Sequence, residues 1–506
     1  MKPIFKTGKR IRLGVWGLGR GATLITTANM LNIDVVAGCD INPIMRENFR
    51  AVCPEAFITD NATEFLSRKD VDAVLIATFF PAHAEHAIAA LNAGKHVMCE
   101  VTAFFTPAEG VRLAEAVEKS GKVYHLLENY PFQKENMFLR KLWQDGLFGE
   151  FQYGEFEYCH DCRSLSYCYN IEGYPPVKPG YTVHSWRSWL PFHYYNTHSL
   201  GPLMWITGLR PTEVTAVDNH VTLPGSLANS RFATACPSLI RMSNGGIMRN
   251  LIAATTMDNH TGKRLWGTRA AAESTGNGLK IAIGGIGSAT KIPVSPQWPE
   301  LAELADSTGH GGGDFWELYY FAREIFTGEP GPWTIYPACD VTLAGIMATK
   351  SAHEGGKTIE IPDFRDSAVR NHYRNDNFQA KFLNPQQIFP PELQNKDTDQ
   401  FTAIMAPFLH REGILATVRG ARDGMVIYNQ IADDSGKLAV VKNVTKLLLD
   451  LPDYAQKCKK AIAFAQQFHD TIPGQALSSV LHAAEAEKLT EETTLRQELT
   501  SWLERL

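Results

Sequence analysis

The residues with the clearest chemical meaning lie at positions 14–22, Gly14-Val-Trp-Gly17-Leu-Gly19-Arg20-Gly21-Ala22. Gly17, Gly19 and Ala22 fill a G-x-G-x-x-G/A pattern. It follows a strand-like run and opens a helix, the context in which the pattern holds a dinucleotide. The first glycine permits a tight turn, the second lets a pyrophosphate approach the backbone, and the small third residue lets helix and strand pack closely. The helix N-terminus adds free N–H groups and a partial positive charge. Asp40 ends the next strand, roughly 20 residues further on, where a carboxylate hydrogen-bonds a ribose 2′-hydroxyl. That carboxylate repels a 2′-phosphate, so NAD is expected rather than NADP.

A second group is Tyr195-Asn-Thr-His198. If these residues start a helix, the i,i+3 spacing puts Tyr195 and His198 on one face. Histidine exchanges a proton near neutral pH. Read alone, Tyr195 belongs to an aromatic run, FHYYN, that serves equally well as packing, and His198 serves as well as a satisfied core histidine. A third group is Cys159, His160, Cys162 and Cys168. Its Cys-x₂-Cys pair has no second pair to complete a tetrahedral site, so free thiols and no metal are expected. The chain has no P-loop, no G-x-S-x-G elbow and no H-E-x-x-H helix.

The elements that must position these residues fall into three regions. Residues 11–130 alternate strand-like runs (11–16, 34–39, 73–78, 95–99 and 122–127) with helical patterns such as 82–93 and 107–120. This alternation makes a parallel sheet with helices on both faces. From about 151 the pattern changes to alternating aromatic stretches such as FQYGEFEYCH, a strand at 247–255 and a closing strand at 359–362. It suits a mostly antiparallel open sheet with one covered face. A helix at 197–207 interrupts it, and the turn GHGGGDF at His310 starts a helix through 326. Residues 384–399 are polar and proline-containing, a linker. Beyond them, helical patterns occupy 441–449, 455–469, 475–488 and 491–506, with apolar positions such as Ala461, Phe464, Ala465 and Phe468 at helical spacing. The fold class is therefore α/β. An N-terminal Rossmann domain (1–130) precedes an α+β substrate-binding and catalytic domain (131–380) and a helical C-terminal extension (398–506).

The bulk composition sets outer bounds. Of 506 residues, 44% are hydrophobic and 20% charged, ordinary for a globular chain of more than one domain. A net charge of −5 leaves no basic footprint for nucleic acid or an anionic membrane. No run is long and apolar enough to span a bilayer. The N-terminus has no apolar signal region, and nine scattered cysteines fit a reducing compartment. A cytoplasmic location is expected.

Residues 74–100, VLIATFFPAHAEHAIAALNAGKHVMCE, resemble the Gfo/Idh/MocA oxidoreductase superfamily. There, an IAT…H…A…AGKHVxCEKP run leads to a Glu-Lys-Pro motif beside the nicotinamide. Here the motif is Glu100-Val101-Thr102, without the lysine that assists the oxidised hydroxyl in simple sugar dehydrogenases. A second resemblance accounts for this. Residues 100 to about 364 are similar to glycoside hydrolase family 109, an NAD-dependent branch with Glu-Val-Pro at this place. Leu127-Glu128-Asn129 resembles its EN, and Tyr158-Cys159-His160-Asp161 its YIHD. Trp186-Arg187 resembles its WR, and residues 195–202, YNTHSLGP, its YxTHGxGP. RLWGTR at 264–269, GHGG at 309–312 and PDF at 362–364 complete the ordered set. The departures are Thr102 for proline and Ser199 for glycine.

The resemblance implies glycoside cleavage by a redox detour. C3 of a sugar is oxidised with NAD⁺, the C2 proton is removed, the aglycone is eliminated, water adds, and C3 is reduced again. It implies Tyr195 as the base at C2 and His198 as the acid or base at the leaving group or C3 hydroxyl. A tyrosine, with an ordinary pKa of about 10, needs a nearby cation for this, such as Arg187 or the nicotinamide. Cofactor contacts are expected from Gly17, Gly19, Arg20, Ala22, Asp40, Thr78, His83, Glu100, Asn129, Trp186 and Arg187. Substrate contacts are expected from Glu128, His160, Arg187, Tyr195 and His310. A small carbohydrate or glycoside is the expected partner, and a homo-oligomer the expected assembly. Two alternatives stay open: a glycoside or sugar 3-dehydrogenase, and a nicotinamide-binding regulator without catalysis.

Overall fold

The computed structural model describes residues 4–161, 191–221, 235–254, 256, 260–274, 278–284, 289–297 and 301–378, and, in the C-terminal part, 404, 407–408, 413–470, 472–481, 489 and 491–506. Six strands form the first sheet: β1 Ile11–Trp16, β2 Ile33–Cys39, β3 Phe57–Thr59, β4 Ala73–Ile76, β5 His96–Glu100 and β6 Tyr124–Leu127. All are parallel, in the order β3-β2-β1-β4-β5-β6. The chain winds outward from β1 in both directions. A crevice therefore opens at the carboxyl ends of β1 and β4, where such sheets hold their ligands. Helices cover both faces, so the strands are apolar at successive positions; all four residues of β4 are buried. The helix Pro107–Ser120 starts where the sequence signals it, with Thr106 and Glu109 in a reciprocal capping box and Pro107 in the first turn. β3, three half-buried residues, carries no alternation that could have announced it.

The second sheet has nine strands: β7 Phe151–Cys159, β8 Pro211–Ala216, β9 Ala235–Met242, β10 Ile247–Ala253, β11 Lys263–Gly267, β12 Ala271–Ser274, β13 Leu279–Ile283, β14 Thr290–Val294 and β15 Ile359–Glu360. Their order is β14-β13-β12-β11-β7-β10-β9-β8-β15. Only the β7–β10 pair is parallel among these pairings. Burial alternates along β9 and β10, as one covered face requires. The helix Thr197–Thr207 packs on β7 and β10, and Ile335–His353 packs on β8.

The two sheets share one hydrophobic core. The helix Gly313–Thr327 returns from the second half to pack on β6 and on the helix Ile25–Met30. Leu126 N–H donates to the Trp333 carbonyl at 2.9 Å. The Phe5 ring lies 5.3 Å from Tyr319 and 5.1 Å from Phe326.

The C-terminal helices Ile414–Ile427, Asp434–Gln467, Ile472–Leu481 and Glu492–Leu503 enclose a separate core that includes Val418, Leu447, Cys458, Leu477 and Leu499. The expected pair of helices at 441–449 and 455–469 is instead one helix of 34 residues running through Pro452. A proline inside a helix costs about 3 kcal/mol. The buried stripe Val444, Leu447, Leu451, Ala455, Cys458 and Ala461 continues across it, and each fully buried large side chain returns about 1.5–3 kcal/mol. Burial thus outweighs the break. The expected linker at 384–399 lies outside the described residues. No helix among the described residues is long and apolar enough to cross a membrane.

Candidate active site

Two clusters meet at the crevice. The first is built on the glycine turn after β1. Gly17 has φ 94°, and a β-carbon there would lie 2.3 Å from the Ala77 carbonyl oxygen. Only glycine fits a left-handed position pressed so closely against backbone. At Gly19 a β-carbon would meet nothing within 4 Å, so the space beside it is open. The close helix-to-strand contact falls on Gly21, whose β-carbon would stand 2.6 Å from Val15 Cγ1, rather than on the half-buried Ala22. Asp40 accepts the Leu18 N–H at 2.7 Å and the Asn42 N–H at 2.8 Å. It thereby fastens the end of β2 to the turn. Burial raises its pKa, against the pull of those two hydrogen bonds.

Arg20 leaves this turn toward the second half of the molecule. Its Nε donates to Glu100 at 2.9 Å and its other nitrogens to Asp314 at 2.9 and 3.2 Å. Asp314, four residues after His310, also accepts from Asn129 Nδ2 at 3.1 Å and pairs with His310 Nδ1 at 2.9 Å. Burial disfavours the Asp314 charge, but the hydrogen bonds from His310 and Arg20 outweigh it and hold the carboxyl well below the usual range. Glu317 lies one turn on, its nearest oxygen 3.8 Å from Arg20. Its two carboxyl oxygens are buried without a hydrogen-bond partner among the described residues. Burial, reinforced by the charges of Asp314 and Glu100, pushes its pKa well up.

The second cluster surrounds His198, the second residue of the helix Thr197–Thr207. Its Nδ1 meets both oxygens of the fully buried Glu128, at 2.8 and 3.0 Å. A carboxylate only accepts, so Nδ1 is the donor of this pair and Nε2 faces away from it. Three tyrosine rings enclose the imidazole: Tyr130 at 4.3 Å, Tyr195 at 4.5 Å and Tyr158 at 4.8 Å between centroids. Gly201, one helical turn beyond His198, brings its backbone close to Glu128, where a β-carbon would stand 3.3 Å from Glu128 Cγ. Tyr130 links the clusters, its ring 6.3 Å from that of His310.

Comparison with known proteins bears on this arrangement. Residues 11–127 match the model of the oxidoreductase family, NAD-binding Rossmann fold, and residues 294–371 match that of the glycosyl hydrolase 109 C-terminal domain. The chain is thus similar to the Gfo/Idh/MocA oxidoreductases in its first part and to glycosyl hydrolase family 109 in its second. A glycosyl hydrolase family 109 protein of Stenotrophomonas maltophilia is 26% identical over 435 residues, 75% of this chain and 94% of the relative. An alpha-N-acetylgalactosaminidase of Tannerella forsythia is 26% identical over 422 residues, 72% of this chain and 88% of the relative. Levoglucosan dehydrogenase, solved with NADH and L-sorbose, shares the fold with a TM-score of 0.59 at 19% identity, over 70% of this chain and 100% of that one. Aldose-aldose oxidoreductase from Caulobacter crescentus shares it with a TM-score of 0.54 at 18% identity, over 70% of this chain and 100% of that one.

The chain thus has an NAD-binding Rossmann domain, and its own residues suit the cofactor. The turn leaves open space beside Gly19, and Asn129 Oδ1 is buried without a partner among the described residues. Of the residues expected from the sequence, Arg20, Asn129 and His310 converge on Asp314, Glu100 joins them through Arg20, and Glu128 and Tyr195 converge on His198. His160 stacks on Tyr158 with centroids 5.9 Å apart. Thr78 Oγ1 is paired with His86 Nδ1 at 2.8 Å. His86 itself is stacked on Trp16, and burial lowers its pKa to about 4. His83, expected at the cofactor, is placed otherwise. Its Nδ1 faces the Thr102 carbonyl at 2.9 Å and its Nε2 the Thr78 carbonyl at 3.0 Å. It is fully enclosed and pins the loops after β4 and β5, with neither nitrogen left for a ligand. Trp186 and Arg187, like Cys162 and Cys168, lie outside the described residues. The Val101–Thr102 peptide is cis, a form otherwise found almost only before proline. Ser199 is buried, its hydroxyl within hydrogen-bond reach of two acceptors, the Asn196 carbonyl at 3.1 Å and Asn250 Oδ1.

Sequence reasoning missed Asp314, Glu317 and Tyr130. Asp314 had a faint signal as the acid closing GHGGGDF. Tyr130 had one as the residue after Glu128-Asn129. Glu317 had none, because its meaning comes from burial.

Proposed function

We propose that this enzyme is an NAD-dependent glycosidase that oxidises C3 of a bound sugar transiently and cleaves by elimination. The observation that carries this reading is the buried Glu128–His198 pair within 4.5 Å of the Tyr195 ring, beside the Arg20–Asp314 end of the nucleotide crevice. Bound NAD supplies a hydride acceptor at C3 and, once reduced, the donor that restores it. The protein's part is proton handling and orientation. Glu128 fixes the Nδ1–H tautomer of His198 and stabilises its cation, so Nε2 takes a proton from the C3 hydroxyl or delivers one to the leaving oxygen. Once C3 is a ketone, the proton on C2 is acidic, and the Tyr195 phenolate removes it. The aglycone then departs from an enolate rather than an oxocarbenium ion, so no pair of carboxylates astride the glycosidic bond is required. His310 and His160 flank the tyrosine cluster on the substrate side. Val101, an apolar residue at the lysine position of simple dehydrogenases, suits a site in which His198 does the proton work. The domain limits 1–130, 131–380 and 398–506, a cytoplasmic location and a homo-oligomer belong to the same reading.

The test uses the purified chain with NAD⁺ and a panel of α- and β-p-nitrophenyl glycosides in D₂O. Nitrophenol release with deuterium at C2 of the product and no net NADH is the expected result. NADH accumulating in step with sugar, without nitrophenol, overturns the reading in favour of a dehydrogenase. Cofactor binding without turnover on any glycoside favours a regulator.

A further inference from the structure

Behind Tyr195 the fold assembles a group of metal donors that the sugar chemistry does not use. His193 stands on the single turn Phe192–Tyr195, two residues before Tyr195, and is 1% exposed. Its Nε2 lies 3.0 Å from Asp218 Oδ1. Cys236 is the second residue of β9 and is fully buried. The β8–β9 ladder pairs Ala216 with Ser238 and continues through Asn219 N–H to the Ala235 carbonyl at 3.1 Å. Asp218 and Cys236 therefore stand directly opposite, on one face, as cross-strand neighbours. One donor atom from each of His193, Asp218 and Cys236 lies within 4.8 Å of the other two.

We propose that His193, Asp218 and Cys236 form a binding site for a divalent transition metal, zinc by the chemistry of its donors. An imidazole nitrogen, a carboxylate oxygen and a thiolate make a set that zinc accepts in tetrahedral geometry, whereas Mg²⁺ and Ca²⁺ take oxygen donors. Two features support a metal over a plain packed His–Asp pair. His193 Nδ1 is buried with no hydrogen-bond partner among the described residues, so the ring is not satisfied by its pairing with Asp218. The backbone N–H groups of His193 and Phe192 hydrogen-bond to the Cys236 sulfur, the outer support that a ligating thiolate receives. Metal entry transfers the thiol proton to solvent. The carboxylate of Asp218, about one-fifth exposed, gives an entry path. A water molecule would complete the fourth position.

The sequence expects no metal, because the three donors come from a turn and two strand ends with no short spacing between them. The site would brace the catalytic turn from behind. Cys236 shares a hydrophobic cluster with Tyr158 and Phe192, and Tyr195 packs against that cluster. The inference stands whether or not the enzyme proves to be a glycosidase.

The full-length chain, stripped by dialysis against a chelator, is titrated with Co²⁺ and followed by absorption, and zinc is then added. The expected result is saturation at one cobalt per chain, with a thiolate-to-metal charge-transfer band and tetrahedral d–d bands that zinc abolishes. Cys236→Ser removes the charge-transfer band. Asp218→Asn, at a partly exposed position, weakens cobalt binding more than about a hundredfold, beyond the usual effect of losing outer support, while the metal-free circular dichroism stays unchanged. Absence of a saturable band overturns the proposal, and so does a band that survives Cys236→Ser. If Cys236→Ser fails to fold, Asp218→Asn decides: unchanged cobalt affinity overturns the site.

Discussion

Gly17 and Gly19 sit two residues apart in one turn, yet alanine at each should fail in a different way. At Gly17 the backbone has φ 94° and a β-carbon would lie 2.3–2.7 Å from backbone atoms of Ala77 and Thr78. The conformational strain alone is about 1–3 kcal/mol, and the contact with backbone cannot be relieved by a side-chain rotation. A total near 2–4 kcal/mol, at roughly 2–4 °C per kcal/mol for a domain of this size, lowers the melting temperature of Gly17→Ala by about 5–15 °C. Gly19 has nothing within 4 Å of its β-carbon site, so Gly19→Ala should melt within about 1–2 °C of the parent. Its added methyl occupies the space through which the pyrophosphate approaches the backbone, and the Kd for NADH should rise at least tenfold, about 1.4 kcal/mol. Thermal melting without cofactor and a fluorescence titration with NADH read the two effects separately. A Gly19→Ala variant that binds NADH like the parent would refute the placement of the pyrophosphate at this turn.

Glu128→Gln keeps the shape of a buried side chain and removes the charge that pairs with His198. A hydrogen bond to a charged group is worth about 1.5–3 kcal/mol, so if the pair acts in the transition state, kcat/KM on the glycoside found active should fall roughly 10- to 150-fold; activity within twofold of the parent would sink the proposed dyad. Asp314 has a pKa depressed below its unfolded value of about 3.9, so its contribution to stability is present above that value and lost as pH falls through the folded one. Melting measured from pH 3 to 7 should drop more steeply below pH 4 for the parent than for Asp314→Asn, and parallel curves would show that the Arg20–Asp314–His310 network does not carry that stability. Pro452→Ala should stabilise the C-terminal helices by about 1–3 kcal/mol, seen as slower hydrogen exchange along residues 434–467. Equal or faster exchange would mean that the helix does not run unbroken through this position.

Much of the fold is legible because its signals are local. The strand 11–16, the helix 107–120 and the helix 197–207 each carry their own pattern or cap, and the structure has Ile11–Trp16, Pro107–Ser120 and Thr197–Thr207 there. What escaped depends on partners distant in the chain. Pro452 reads as a break until the stripe on both sides of it is seen to bury into one core. His83 reads as a ligand until both its nitrogens are found facing carbonyl groups. Asp314 and Glu317 look like two acids on a helix, and only their burial beside Arg20 moves the pKa of one down and of the other up. Conversely, Glu128 and His198 are 70 positions apart and were named together through family resemblance; their hydrogen bond is a fact of the fold alone.

The return of the helix Gly313–Thr327 and of Trp333 to the first sheet also bears on synthesis. The edge of β6 has no Trp333 carbonyl to meet Leu126, and Phe5 has no Tyr319 or Phe326 to stack on, until those residues have left the ribosome. At about 5–20 residues per second, the interval from residue 127 to 333 is roughly 10–40 s. Throughout it the nascent nucleotide-binding half carries exposed apolar surface. A stop codon placed between β6 and Trp333 is therefore expected to release a fragment that aggregates rather than a small autonomous NAD-binding protein.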